Sequence, residues 1–90
     1  MATIRDILRS YLAETGWTPV DLQRRSGLTK ATTYALLRGT RGCGYTIAQM
    51  VERATVEAYT RGETQAAPLR AIDLVRVSSE ARGRGKKEAA

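Results

Sequence analysis

Side chains that bind anions are concentrated between residues 18 and 41. This stretch has a single acidic residue, Asp21, and five basic ones: Arg24, Arg25, Lys30, Arg38 and Arg41. Guanidinium and ammonium groups donate hydrogen bonds to phosphate and to the edges of nucleic-acid bases. The whole chain is also basic, with a formal net charge of +6. This balance favours a polyanionic partner.

The residues that most enzymes use for chemistry are missing. The chain has no histidine and one cysteine, Cys43, so neither a Ser-His or Cys-His nucleophile nor a zinc site with nitrogen and sulfur ligands can be assembled. Nothing singles out a pair of carboxylates among the scattered acidic residues. We therefore predict a binding protein that is not an enzyme and has no metal, cofactor or small-molecule ligand. Cys43 is predicted to be an inert loop thiol.

Length and composition indicate one small helical domain. Ninety residues bury a single modest core, and the scarcity of aromatic residues leaves Leu, Ile, Val, Met and Ala to build it, which favours helices. No segment approaches the roughly 20 apolar residues that span a bilayer, and no apolar signal-peptide segment begins the chain. We expect a cytoplasmic protein without membrane contact.

The first predicted helix follows Thr3, which forms a capping-box-like start with Asp6, and it ends at Gly16. Its apolar residues recur at helical spacing: Ile4, Ile7, Leu8, Tyr11 and Leu12. Trp17 is predicted to fold back onto this apolar stripe.

A second helix is predicted from Pro19 to about Ser26. Thr18 supplies the N-cap and Asp21 a carboxylate three residues later. Two of its residues are predicted to point inward and three partly or wholly outward; the inward ones are Val20 and Leu22, and the outward ones are Gln23, Arg24 and Arg25.

A third helix is predicted from residue 30 to 37 or 38. Gly27 allows the preceding turn, and Thr29 caps the helix. Leu36 is predicted to point inward, and the hydroxyl of Thr33 to bond back to a preceding carbonyl.

A fourth helix is predicted after the glycine-rich loop of residues 40–45, with Thr46 as its cap. Its apolar residues have helical spacing: Ile47, Met50, Val51 and Ala54. Two ends fit the pattern, one near Thr55 and one at Tyr59.

Residues 64–77 allow two interpretations. Pro68 could open a helix carrying Leu69, Ile72 and Val75, or residues 74–77 could form a short strand; we prefer the helix. Because four helices already supply a core, this segment is a candidate dimerisation element, with packing on its own chain as the alternative. Residues 1–77 are predicted to form one domain, and residues 78–90 a disordered basic tail.

The segment from residue 18 to 39 resembles the helix-turn-helix of the lambda-repressor-like family, which includes phage repressors and Cro proteins. The residues that fall on the family pattern with correct spacing are Thr18, Leu22, Ser26, Gly27, Leu28, Thr29, Leu36, Arg38 and Gly39. The flanking helices extend the resemblance to residues 3–55. Three residues depart from the pattern: Pro19 replaces a common Gln, Gln23 a small Ala, and Thr33 an Ile or Val.

This resemblance implies a compact all-α domain of four to five helices with a flexible basic C-terminal tail, and a sequence-specific double-stranded DNA-binding transcription regulator. The third helix would enter the major groove and bring five side chains to the bases: Lys30, Ala31, Thr32, Tyr34 and Ala35. Phosphate contacts are expected from Thr18, Thr29, Arg38 and Arg41, and also from Arg24 and Arg25.

The same resemblance implies a phage or prophage protein of the Cro or repressor type that acts by occupying an operator in a bacterial cell. A homodimer on duplex DNA is expected, with a monomer reading one asymmetric site as the alternative. Two other functions stay open. One is a protein-interaction module of the antitoxin or adaptor type, binding through residues after Glu63, and the other is an accessory DNA-architecture factor such as an excision protein.

Overall fold

The computed structural model describes residues 3–77, and this part of the chain is all-helical. The helices are α1 (Ile4–Thr15), α2 (Pro19–Ser26), α3 (Lys30–Arg38), α4 (Tyr45–Thr60) and α5 (residues 71–77). The prediction of an all-α chain is confirmed over these residues, and so is the preference for helix over strand at residues 74–77. The predicted basic tail lies outside the described residues. Within residues 3–77, no helix is both long enough and apolar enough to cross a bilayer.

Both α1 and α2 begin with a reciprocal capping box, as predicted. Thr3 Oγ1 accepts the Asp6 N–H at 3.2 Å, and Asp6 Oδ2 accepts the Thr3 N–H at 3.2 Å. The equivalent bonds between Thr18 and Asp21 measure 3.2 and 2.9 Å. They satisfy amides that the first turn of a helix leaves without partners, so local sequence fixes both helix starts.

Helix α3 is bounded by Thr29 and Gly39. Thr29 Oγ1 accepts the Thr32 N–H at 3.2 Å, and Gly39 ends the helix in the left-handed region at φ 81°, where other residues are strained. The Thr33 hydroxyl donates to Thr29 O at 2.9 Å. The predicted bounds of α3 and the predicted bond of Thr33 are confirmed.

The start predicted for α4 is wrong by two residues, because Thr46 was expected as the N-cap. Gly44 is the N-cap, without a side-chain hydrogen bond, and the Ala48 N–H donates to Gly44 O at 2.9 Å. The first turn therefore begins at Gly44, and Thr46 is already a residue of the helix and not its cap. The helix continues to Thr60, one residue beyond the later of the two predicted ends.

The core lies where α1 to α4 meet. Helix α1 packs against α3, and α2 packs against both α3 and α4. The buried apolar residues of these helices include Ile4, Leu8, Leu22, Leu36, Leu37, Ala48 and Val51. Trp17 packs edge-on against Tyr11 with ring centroids 5.3 Å apart, so it folds back onto α1 as predicted.

The inward orientation predicted for Val20 is wrong. Its side chain is 42% exposed, whereas Leu22 is fully buried. The buried residues of α2 are Leu22 and Ser26, which are four apart and so share one face. Val20 lies two residues before Leu22, a rotation of about 200° around the helix, and therefore faces away from the core.

The segment after α4 packs on its own chain. Ala66, Ala71 and Leu74 are buried, and the last two belong to the core cluster. The Leu69 N–H donates to Thr55 Oγ1 at 3.0 Å, and the Ala71 N–H donates to Glu52 Oε2 at 2.8 Å. Two side chains of α4 thus hold this segment, and the core is not complete without it.

The apolar face predicted for α5 is shifted. Residues 67–70 are not helical, so Pro68 does not open the helix; the carboxylate of Glu52 serves the N-terminal amide instead. Ile72, predicted to share an apolar face with Leu69 and Val75, is 61% exposed. Its neighbours Ala71 and Leu74 take the inward positions.

Candidate nucleic-acid interface

A network of two hydroxyls and one guanidinium lies at the first turn of α3. The Thr29 hydroxyl donates to Thr32 Oγ1 at 3.0 Å, and Arg41 Nη1 donates to the same oxygen at 3.2 Å. Arg41 belongs to the loop after α3, so its side chain returns to the beginning of the helix. One predicted base contact, Thr32, is thereby joined to two predicted phosphate contacts.

The remaining predicted base contacts lie on the same helix, outside the core. Lys30 and Ala31 are exposed, whereas Tyr34 and Ala35 are half-buried, as is Thr32. The inner face of α3 is formed by Thr33, Leu36 and Leu37, all buried. The helix is therefore seated by one face and presents the predicted contact residues on the rest of its surface.

The charges at the start of α3 differ from those of α1 and α2. Asp6 and Asp21 lie in the first turns of α1 and α2, but α3 has no acidic residue there. It has Lys30 as its first residue and Arg41 bonded to Thr32. A cation at a helix N-terminus is unfavourable by about 0.3–1 kcal/mol because it adds to the positive end of the dipole. The start of α3 is therefore a site of positive potential that an anion would relieve.

Arginines from two helices meet at the other end of α3. Arg9 Nε donates to Leu37 O at 3.0 Å, which fixes its guanidinium beside Arg38. Arg5 lies alongside, because a Cβ added at Gly39 would be 3.5 Å from Arg5 Cδ. Cations are favourable at a helix C-terminus, where the dipole is negative. The C-terminal end of α3 thus carries three guanidinium groups.

A shallow depression joins this arginine cluster to the start of α2. It is lined by Arg9, Leu12, Pro19, Tyr34, Leu37 and Arg38. Thr18 immediately precedes Pro19, and its hydroxyl oxygen accepts the Asp21 N–H while the hydroxyl hydrogen is available to donate. The predicted phosphate contacts Thr18 and Arg38 are therefore neighbours on one surface.

Arg5 and Arg9 were missed by the sequence reasoning because they lie outside residues 18–41. A signal was present. The two arginines are four residues apart in α1, a spacing that places them on one helix face, and neither belongs to the apolar stripe. This pairing of two arginines outside the apolar stripe of α1 is the sequence signal for a basic face on that helix.

Arg25, one of the predicted phosphate contacts, binds other residues of the chain. Its guanidinium binds both carboxylate oxygens of Glu63, at 2.9 and 3.2 Å, and lies 4.5 Å from the centroid of the Trp17 ring. The guanidinium of Arg25 is therefore engaged by Glu63 and Trp17, unlike that of Arg41, which forms no ion pair within residues 3–77. Its neighbour Arg24 is exposed and forms no ion pair within residues 3–77.

Cys43 lies in the loop between α3 and α4, as the sequence requires, but its side chain is buried in the core cluster. It anchors the loop that carries Arg41.

Comparisons with protein-family models, with curated proteins and with solved structures found no match to this chain. The function is therefore inferred from the residues, contacts and charges of the site itself.

Proposed function

We propose that the protein is a sequence-specific double-stranded DNA-binding transcription regulator with α3 as its recognition helix. The observation that carries this proposal is the distribution of cations around α3. Lys30 and Arg41 lie at its first turn, and three arginines lie at its last: Arg5, Arg9 and Arg38. The face between them is occupied by small or polar side chains.

The dimensions of α3 suit the major groove. An α-helix with its side chains is about 10–12 Å across, which matches the roughly 12 Å width of the groove, and the nine residues of α3 give it a length of about 13–14 Å. The arginines at the last turn of α3 are spaced to reach phosphates at the edge of the groove, while the first turn and the residues between face the bases. The same spacing has no evident use in binding a small ligand.

The turn between α2 and α3 supports the finer proposal of a lambda-repressor-like helix-turn-helix. Ser26 is buried and its hydroxyl donates to Leu22 O, Gly27 has a φ of 78°, and Leu28 is buried. Each pattern residue of the turn thus has a structural role. By this proposal the protein is a phage or prophage regulator of the Cro or repressor type that represses by occupying an operator.

The test is an in vitro selection of random DNA duplexes on the full-length protein. A recovered palindrome with half-sites about 34–36 Å apart supports a dimer on an operator, and a recovered asymmetric site supports a monomeric reader. A triple variant, Arg5→Ala with Arg9→Ala and Arg38→Ala, is expected to lose most affinity. If the wild-type protein enriches no duplex, or binds all duplexes equally, the proposal is wrong.

A protein-interaction module is the second candidate, favoured by exposed apolar residues on α4. Val56 and Tyr59 are 40% and 52% exposed and are three residues apart, so they share one face. Such a module would show feeble DNA affinity and tight binding to a protein partner, with loss of that binding in a Val56→Ser, Tyr59→Ser double variant. Specific duplex enrichment in the selection would contradict it.

A further inference from the structure

The exposed face of α3 has few groups for reading bases by hydrogen bonds. Two of its five predicted base contacts are alanines, Ala31 and Ala35. The Thr32 oxygen already accepts two hydrogen bonds, from Thr29 and from Arg41, so only the hydrogen of this hydroxyl is available to a base. Direct readout by the helix alone would rest mainly on Lys30 and Tyr34.

Arg41 is held beside this face by its own loop. The Thr40 N–H and the Thr40 hydroxyl both donate to Ala35 O, at 3.1 and 3.2 Å, and the buried Cys43 fixes the other side of the loop. The position of Arg41 relative to α3 is therefore set by the fold.

Most of the hydrogen-bonding capacity of Arg41 is unused. A guanidinium has five N–H donors, and the bond to Thr32 Oγ1 occupies one of them. Arg41 is exposed, and within residues 3–77 no carboxylate forms an ion pair with it. An exposed arginine held by a neutral hydroxyl keeps its full charge and a planar pair of donors for a ligand.

We propose that Arg41 is a specificity-determining residue that reads a guanine in the major groove, with Thr32 as its positioning residue. This inference rests on the proposed function of α3. An arginine donates two hydrogen bonds to O6 and N7 of guanine, and a side chain held in place before binding loses less conformational freedom on binding. The role differs from the phosphate contact predicted from the sequence, because a phosphate contact carries no base preference.

The experiment compares duplex selections for the wild-type protein and three variants: Arg41→Ala, Arg41→Lys and Thr32→Val. The wild-type motif should contain a guanine that Arg41→Ala no longer selects, with discrimination at that base pair reduced by roughly 5- to 150-fold. Arg41→Lys should retain part of the preference, because a lysine is a point charge and not a planar fork. Thr32→Val should weaken preference at the same base pair.

Arg61→Ala is the matched control, since it also removes one positive charge. Arg61 follows the last residue of α4, about 24 Å along that helix from its start, and it should leave the motif unchanged. Circular dichroism of each variant checks that the helices are intact, which the exposed position of Arg41 leads us to expect.

The inference is overturned if Arg41→Ala weakens binding to every duplex equally and leaves the selected motif unchanged, since Arg41 would then contact a phosphate. The positioning role is overturned if Thr32→Val leaves the preference at the Arg41-dependent base pair unchanged, since Thr32 would then not hold Arg41 in place. Failure of the proposed function has a separate signature, the absence of any enriched motif with the wild-type protein, and it would remove the basis of this inference too.

Discussion

Lys30 begins α3 with an exposed cation at the positive end of the helix dipole. Neither a carboxylate in the first turn nor an ion pair within residues 3–77 compensates it. In the free protein, an uncharged residue at this position would stabilise the helix more than a lysine does. The side chain is therefore placed where it disfavours the free protein and favours an anionic or electron-rich ligand.

Replacing Lys30 by Ala should have opposite effects on binding and stability. Discrimination at one base pair should fall by about 1–3 kcal/mol, whereas the free energy of unfolding should rise by about 0.3–1 kcal/mol because a repulsive charge is removed. Duplex selection and thermal unfolding measure the two quantities. A variant with the wild-type base preference would show that Lys30 is a solvated surface residue.

Arg24 and Arg25 provide a matched pair of adjacent arginines. Arg25→Ala should lower stability by about 1 kcal/mol through loss of the stack on Trp17 and leave the salt dependence of DNA binding unchanged. Arg24→Ala should leave stability unchanged and reduce the salt slope by about one unit. The assignment of Arg24 to phosphate would be rejected by equal salt slopes in the two variants.

At the level of elements, the accuracy of the sequence predictions follows the strength of the local signals. The starts of α1 and α2 were predictable because Thr3 and Thr18 form bonds with residues three positions later, and these bonds depend on nothing distant. The start of α4 was not predictable in this way, because its N-cap Gly44 has no side chain to form a capping bond. Thr46, a residue type that commonly caps helices, lies nearby and misled the prediction. The start of α5 was the hardest to predict from the sequence, because its N-terminal amide donates to the carboxylate of Glu52, nineteen residues earlier.

The candidate site likewise has features that were predictable from local sequence and features that were not. The outer face of α3 follows from helical periodicity, so the position of the five predicted base contacts outside the buried face was predictable. The return of Arg41 to Thr32 depends on the conformation of an irregular loop, and the approach of Arg9 to Leu37 depends on how α1 packs on α3. Neither contact has a signature in local sequence.

The capping box of α2 predicts a pH dependence. The backbone N–H of Thr18, and then its hydroxyl, lower the pKa of Asp21 below its ordinary value. A carboxyl whose folded pKa is depressed stabilises the fold above its unfolded pKa of roughly 4, and this contribution is lost as pH falls through the folded pKa. The thermal midpoint of the wild-type protein should therefore exceed that of Asp21→Asn at pH 7, and the difference should shrink below pH 4.

The same midpoints for Asp73→Asn, an exposed residue of α5, provide the comparison. A difference between wild type and Asp21→Asn that persists unchanged at pH 2 would contradict the assignment of this stabilisation to the ionised carboxylate.

The attachment of α5 to α4 can be tested at Thr55. Thr55→Val keeps the shape of the side chain but leaves the Leu69 N–H without its acceptor, at a cost of about 1–3 kcal/mol because the site is buried. Thr46→Val is the matched control on the exposed side of α4 and should change the free energy of unfolding by less than about 0.5 kcal/mol. Urea denaturation measures both. Equal effects would mean that Thr55 does not anchor the segment.

At the scale of the whole molecule, the segment proposed for dimerisation contributes to the core. Ala71 and Leu74 are buried among residues of α1 to α4, so they are not available to a second subunit. Exposed apolar residues are found on α4 and on the outer side of α5, among them Val56, Tyr59 and Ile72. A homodimer on DNA stays our proposal, and these residues are its candidate contacts.

The salt dependence of DNA affinity measures how many basic side chains of the molecule bind phosphates. If roughly five basic side chains per protomer neutralise phosphates, the slope of log K against log salt concentration should be about −4 to −5 for a monomer and about twice that for a dimer on one duplex. Sedimentation of the protein with its selected duplex gives the stoichiometry independently. A slope near zero would contradict phosphate binding.

The boundaries of α3 have a consequence for how such a protein changes over time. Thr29 and Gly39 set the ends of the helix, and Thr33, Leu36 and Leu37 are its buried residues, so none of the five predicted base-contact positions belongs to the core. Under the proposed function, substitutions at those positions would alter the recognised DNA sequence while the buried face that holds α3 in the fold stays unchanged. A library randomised at residues 30, 31, 32, 34 and 35 is then expected to yield folded variants with new DNA preferences, which duplex selection on the library would measure.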